Sequence, residues 1–205
     1  MNLSRALDQA ITFDGKRYRL NLSFDTVLMV MEVQRDKLLT PLQRLQLGVE
    51  LIAGKKTARL PVEKLEKLMT QINEEYVSAG VKTTEPGTPR VLDFEQDAAL
   101  IYAAFQQAYG IDLNKERGRL DWRYFIALFQ GLPDNTQIRQ VMSIRQRPIP
   151  AADQHNAEQI AALLKAKEAC ALQVDEDEAE ATFQAGVNSF AARLIARAGG
   201  QNGRR

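Results

Sequence analysis

The chain has 205 residues, 45% hydrophobic and 26% charged, enough apolar material for a core of ordinary size and too much for wholesale disorder. Lys and Arg number 27 against 26 Asp and Glu, so the formal charge is +1. That excludes bulk electrostatic binding to nucleic acid or an acidic membrane, and leaves room only for a local basic patch.

Single occurrences narrow the chemistry further. One cysteine, Cys170, excludes an internal disulfide, and one histidine, His155, leaves little room for histidine metal sites or triads. No apolar run approaches the ~18 residues that span a bilayer. Arg5, Asp8 and Gln9 break any signal-peptide core between Met1 and Phe13, so the protein is expected to stay where it is made.

A hairpin comes first. Ala10 to Phe13 and Lys16 to Leu22 flank Asp14-Gly15, a pair suited to the positive φ angles of a type I′ turn. Ile11 and Phe13 alternate, as do Tyr18, Leu20 and Leu22, so each strand has an apolar face that must rest on something else. Ser23 is placed to cap a helix over residues 24–35. Phe24, Val27, Leu28 and Met31 form one face, and Met29, Val30 and Val33 make it apolar nearly all round, as in a central buried helix. Thr40-Pro41 opens a second helix, with Leu38, Leu42, Leu45, Val49 and Ile52 as its stripe and Gly54 as its stop. A third starts near Pro61 with the stripe Val62, Leu65, Met69, Ile72 and Tyr76, and stops at Gly80. Stripes at these spacings suit side-by-side packing.

Val81 to Arg90 holds two prolines and a glycine, and reads as a loop within one domain or as a boundary between subdomains. Asp93 then caps a helix with the stripe Phe94, Ala98, Ile101, Phe105 and Ala108, stopping at Gly110. Asp121 caps a shorter helix with Trp122, Tyr124, Phe125, Leu128 and Phe129. Another runs through Ile138, Val141, Met142 and Ile144 to Pro148. From Ala151 alanine becomes frequent. Ile160, Leu163, Leu164 and Val174 suggest one helix, and Phe183, Val187, Phe190 and Leu194 another, with a basic, glycine-rich end that reads as disordered. The expected architecture is mainly α (α+β): a helical domain over residues 1–150 with an N-terminal β-hairpin and the loop 81–90, then a helical C-terminal arm over 151–205.

Chemical motifs are weak. Gly54-Lys55-Lys56-Thr57 lacks the phosphate-loop glycine at position 49, which is Val49, and it follows a helix where that cradle needs a strand. A basic helix end complementing the macrodipole explains it. The acidic run Asp175 to Glu180 lacks the ligand alternation and glycine of a calcium loop. Neither His155 nor Cys170 has a neighbour in sequence to activate it, so no catalytic residue, metal ligand or cofactor is expected. Arg139, Arg145 and Arg147, with no acid between Asn135 and Arg147, suggest a weak phosphate-contacting face for DNA.

Two segments carry more information: Leu92-Asp93-Phe94-Glu95-Gln96-Asp97 running on to Phe105 and Tyr109-Gly110-Ile111-Asp112-Leu113, and Leu120-Asp121-Trp122-Arg123-Tyr124-Phe125 running on to Gly131-Leu132-Pro133. With Gly15-Lys16-Arg17-Tyr18 in the hairpin, they resemble the bacteriophage gene-product-fifteen family, small proteins encoded among the tail genes of long-tailed phages. The resemblance covers about residues 11–147. It implies a tail-assembly role as a chaperone that keeps the tape-measure protein soluble in the host cytoplasm and is absent from the finished virion. The implied partners are the tape-measure protein and the tail tube protein, with self-association possible. A second expectation is a structural minor tail or connector protein retained in the virion. The third and weakest is DNA binding. Candidate partner contacts are exposed members of Trp122, Tyr124 and Phe129, and the apolar stripe Phe183, Val187, Phe190 and Leu194.

Overall fold

A computed structural model describes residues 4–78, 90–153 and 156–173. The expectations placed on Gly80, residues 81–89, His155, Val174, the acidic run from Asp175 and the stripe from Phe183 to Leu194 lie outside these residues. Among the described residues the fold is mainly α with a small β part: strands β1 (Ala10–Phe13) and β2 (Lys16–Arg19), and helices α1 (Phe24–Arg35), α2 (Pro41–Ala53), α3 (Val62–Ile72), α4 (Ala98–Tyr109), α5 (Trp122–Gln130), α6 (Gln137–Gln146) and α7 (Ala157–Ala169). The chain divides into two compact units, Met1–Thr83 with Tyr102–Pro133 and Thr84–Ile101 with Asp134–Arg205.

In the first unit the hairpin forms as its turn dictates. Asp14 and Gly15 take φ angles of 49° and 70°, and β1 pairs antiparallel with β2 in the register Ile11 to Tyr18. Strand pairing ends at Arg19, short of the expected Leu22. Leu22 is instead buried with Ile11 and Leu20 against Val49, Ile52, Leu65, Leu68 and Ile72. Tyr76 fastens the hairpin to this core by donating its hydroxyl to the Ala10 carbonyl at 2.9 Å.

Asp14 also meets Lys64 of α3. The Lys64 hydrogen bond and charge hold the Asp14 carboxyl below the usual carboxylate range, and Asp14 raises the Lys64 ammonium in turn. The signs place the benefit at neutral pH. Asp14 loses it as pH falls through its lowered value, and Lys64 loses it as pH rises through its raised one. In an NMR titration the Asp14 carboxyl should therefore titrate lower in the wild type than in Lys64→Gln, with high salt narrowing the gap. Equal midpoints would refute the pairing.

α1 has the expected bounds but a different start. Ser23 makes no side-chain cap; its hydroxyl bonds the Asn21 Oδ1 and Thr26 Oγ1 atoms. The helix entry is held from outside. The Phe24 N–H donates to the Leu120 carbonyl, and the Trp122 N–H to the Leu22 carbonyl, so α1 and α5 begin side by side. Nor is α1 buried all round, since Met29 is 40% exposed. α2 opens with the full capping box of Thr40 and Gln43, with Pro41 in its first turn. Its stripe is buried only from Val49 onward; Leu42 is 43% and Leu38 94% exposed, because Leu38 precedes the helix. Gly48 lets α1, α2 and α3 close up. A Cβ there would lie 2.7 Å from Met69 Cε and 3.5 Å from Val30 Cγ1.

In the second unit Asp93 does not cap α4 directly. Its carboxylate accepts the N–H groups of Glu95 and Gln96 in a turn, and the helix starts at Ala98. Asp97, at the end of that turn, forms a two-pronged ion pair with Arg145 of α6, at 2.6 and 2.9 Å. Arg145 also donates to the carbonyls of Val91 and of Cys170, the residue just after α7. Lys167 of α7 donates to the Arg145 carbonyl, so α6 and α7 are joined in both directions.

Candidate functional site

The described aromatic candidates mostly serve the core. Trp122 is 2% and Phe129 5% exposed, and Tyr124 is half-buried. Phe125 is the hub: its ring stacks on Phe24, Phe105 and Trp122 at centroid distances of 5.0, 5.1 and 5.5 Å, and on Phe129 at 6.5 Å. The Trp122 indole N–H donates to the Val77 carbonyl at 3.0 Å. That carbonyl belongs to a π-helical turn, Asn73–Val77, which continues α3 where the sequence predicts unbroken α-helix. The widened turn buries Tyr76 and leaves Val77 half-buried at the surface.

Val77 is one wall of a groove of about 420 Å³ in the first unit. α1 supplies Val27, Val30 and Met31, α2 supplies Ile52, and α3 supplies Met69. Gln34 and Arg35 rim one side, and Thr70 and Asn73 another. Gln34 is held by exchange with Arg44: its amide donates to the Arg44 carbonyl, and the Arg44 guanidinium to the Gln34 carbonyl, both at 3.3 Å. Val27, Val30 and Ile52 are buried, while the two methionines of the lining are half-buried and unbranched, so they adapt to what they meet. Such a surface is suited to binding apolar side chains of varied shape, such as those on one face of a helix.

The apolar spacing predicts Met31 and Met69 in core stripes. The available signal was the surplus of apolar residues around α1, more than one core face can bury. The width added by the π turn has no comparable signature in the residues.

Of the three cations expected to face DNA, Arg145 is committed to Asp97 in a buried pair, Arg139 lies 3.3 Å from the exposed Asp134, and Arg147 is exposed just after α6. Gly54 ends α2 with φ 86°, and Thr57 donates its hydroxyl to the Ala53 carbonyl, which is a helix end and not a phosphate cradle. Among the described residues no three His, Cys, Asp or Glu are grouped to hold a metal, and no helix is long and apolar enough to cross a membrane.

Comparison with known proteins gives one result. A family model described as "Bacteriophage Gp15 protein" matches residues 3–172. No curated protein and no solved structure matches the chain.

Proposed function

Since the chain belongs to the bacteriophage Gp15 family, and is thereby a phage protein, we propose that it is a tail-assembly chaperone acting in the host cytoplasm. Its client is the tape-measure protein. The observation that carries this reading is the methionine-lined groove of the first unit. A tape-measure protein is a very long amphipathic helix whose apolar stripe aggregates unless covered before the tail tube encloses it. An apolar groove covers a few side chains of such a stripe by burial alone, and no catalytic group is required. Each contact is small, so affinity comes from many copies along one client, and tube subunits displace them one at a time.

The test is co-expression with the longest helical open reading frame beside this gene, followed by pull-down and a solubility assay. The long protein should become soluble and be retained. Met31→Glu, which puts a carboxylate at a half-buried groove position, should weaken retention at least about tenfold, a loss of about 1.4 kcal/mol, with little change in thermal midpoint. If the long protein stays insoluble and this chain is found in purified particles, the protein is a structural tail component instead.

A further inference from the structure

A second concavity, of about 360 Å³, lies in the first unit beside the groove, and Ile52 lines both. Its chemistry is different. Leu20 and Leu51 give the lining an apolar part, and two arginines, Arg19 and Arg119, line the same cleft. Both side chains are exposed, and neither guanidinium meets a carboxylate among the described residues.

The backbone holds both arginines in place. Arg19 is the last residue of β2, paired with Ala10. Arg119 sits in a turn where the N–H groups of Arg119 and Leu120 both donate to the Glu116 carbonyl. The preceding residue, Gly118, takes φ 70° and donates its N–H to the Asp25 carboxylate at 2.8 Å. Glycine adopts that conformation without strain, so the turn presenting Arg119 is pinned to the first turn of α1.

An ordinary explanation for cations here is the C-terminus of α2, whose Ala53 and Gly54 also line the cleft. Most of its last carbonyls are already taken. Glu50 accepts from the Gly54 N–H, Ile52 from the Asn21 N–H, Ala53 from the Thr57 hydroxyl, and Gly54 from the Thr57 N–H. Neither guanidinium donates to a carbonyl of this helix end among the described residues, so both are left over. A guanidinium's planar fork matches a carboxylate through two parallel hydrogen bonds, and apolar surface in the same cleft strengthens the attraction by limiting water. A small concavity with two cations suits side-chain carboxylates better than a duplex, whose binding draws on many phosphate contacts.

We infer that this cleft binds an acidic stretch of polypeptide, seating Asp or Glu side chains against Arg19 and Arg119. The inference builds on the chaperone reading and narrows the client. The client is then a protein with carboxylates as well as an apolar stripe, since both concavities belong to the same unit.

The test uses the full chain and a fluorescently labelled hexaglutamate peptide, read by anisotropy at low salt. Hexaglutamate should bind the wild type and respond steeply to salt. R19Q/R119Q should weaken it about tenfold without changing the thermal midpoint, since both side chains are exposed. Each single variant should show part of the loss, and Met31→Glu should retain peptide binding far better than R19Q/R119Q does. No binding, equal binding to R19Q/R119Q, or tighter binding of a short DNA duplex lost in the same double variant would each overturn the inference. The chaperone reading fails separately: the long protein is then neither solubilised nor retained by the wild type, even where hexaglutamate still binds.

Discussion

Arg145→Ala is expected to destabilise the second unit by about 3–5 kcal/mol, the cost of breaking a buried pair by removing one partner. The Arg145 side chain is 10% exposed and that of Asp97 3%. Removing the guanidinium strands the Asp97 carboxylate away from water and takes a donor from the Val91 and Cys170 carbonyls at once. Arg145→Lys should rescue little, because a single ammonium on a flexible stem cannot reach two carboxylate oxygens and two carbonyls together. The double variant D97L/R145M should cost less than either D97L or R145M alone, since a buried ion pair replaced whole by apolar groups gives up little. Native-state hydrogen exchange at the amides of Asp97 and Ile101 reads these effects locally. A loss below about 1 kcal/mol in Arg145→Ala would mean that water reaches the pair and that it does not organise α6 and α7.

This ion pair shows what could and could not be read in the residues. Arg145 was visible as one of three cations on a helix, and Asp97 as one letter of a family-like segment. Nothing in their spacing of 48 positions brings them together. Side-chain pairing between distant segments is decided by tertiary packing, so one cation of a helix face that looks basic in sequence turns out buried and paired. Local signals fared better where the physics is local. Asp14-Gly15 gave the hairpin turn, Thr40-Pro41 the capping box, and Asp121 a cap that accepts the Arg123 N–H. Ser23 failed as a cap because Asn21 and Thr26 compete for its hydroxyl, an outcome that depends on rotamers and not on residue type. The groove was half legible. Its apolar supply from α1 lies in Val27, Val30 and Met31, but which of these stay outside the core depends on the closeness of approach at Gly48 and on the π turn. Leu68 illustrates the same limit from the other side: it is fully buried, yet it stands outside the spacing that picked out Leu65, Met69 and Ile72.

The other large effect belongs to Phe125. Phe125→Ala should cost about 3–5 kcal/mol, the range for emptying a well-packed aromatic site. The ring is 1% exposed and touches four other aromatic rings, so its loss opens a cavity and removes every one of those stacking contacts together. Neighbours have little freedom to collapse inward. Phe24 is tied through its N–H to Leu120, Trp122 through its indole to Val77, and α4 through the Tyr109 hydroxyl to the Leu128 carbonyl at 2.8 Å. Phe125→Leu should fall between the wild type and Phe125→Ala, because it keeps part of the volume and none of the stacking. The chain's single tryptophan is Trp122, 5.5 Å from this ring, so intrinsic fluorescence reports the event directly. Urea unfolding followed by Trp122 emission should show the midpoint of Phe125→Ala far below that of the wild type, with Phe125→Leu in between. Trp122→Phe separates packing from hydrogen bonding, and is followed by circular dichroism since it removes the fluorophore. It keeps a ring beside Phe125 but leaves the Val77 carbonyl of the π turn without its donor, at a cost of about 1–3 kcal/mol. If Phe125→Ala instead unfolds within about 1 kcal/mol of the wild type, the five rings are neighbours without being the centre of the unit. The stability of the groove they support would then rest on the aliphatic cluster under the hairpin.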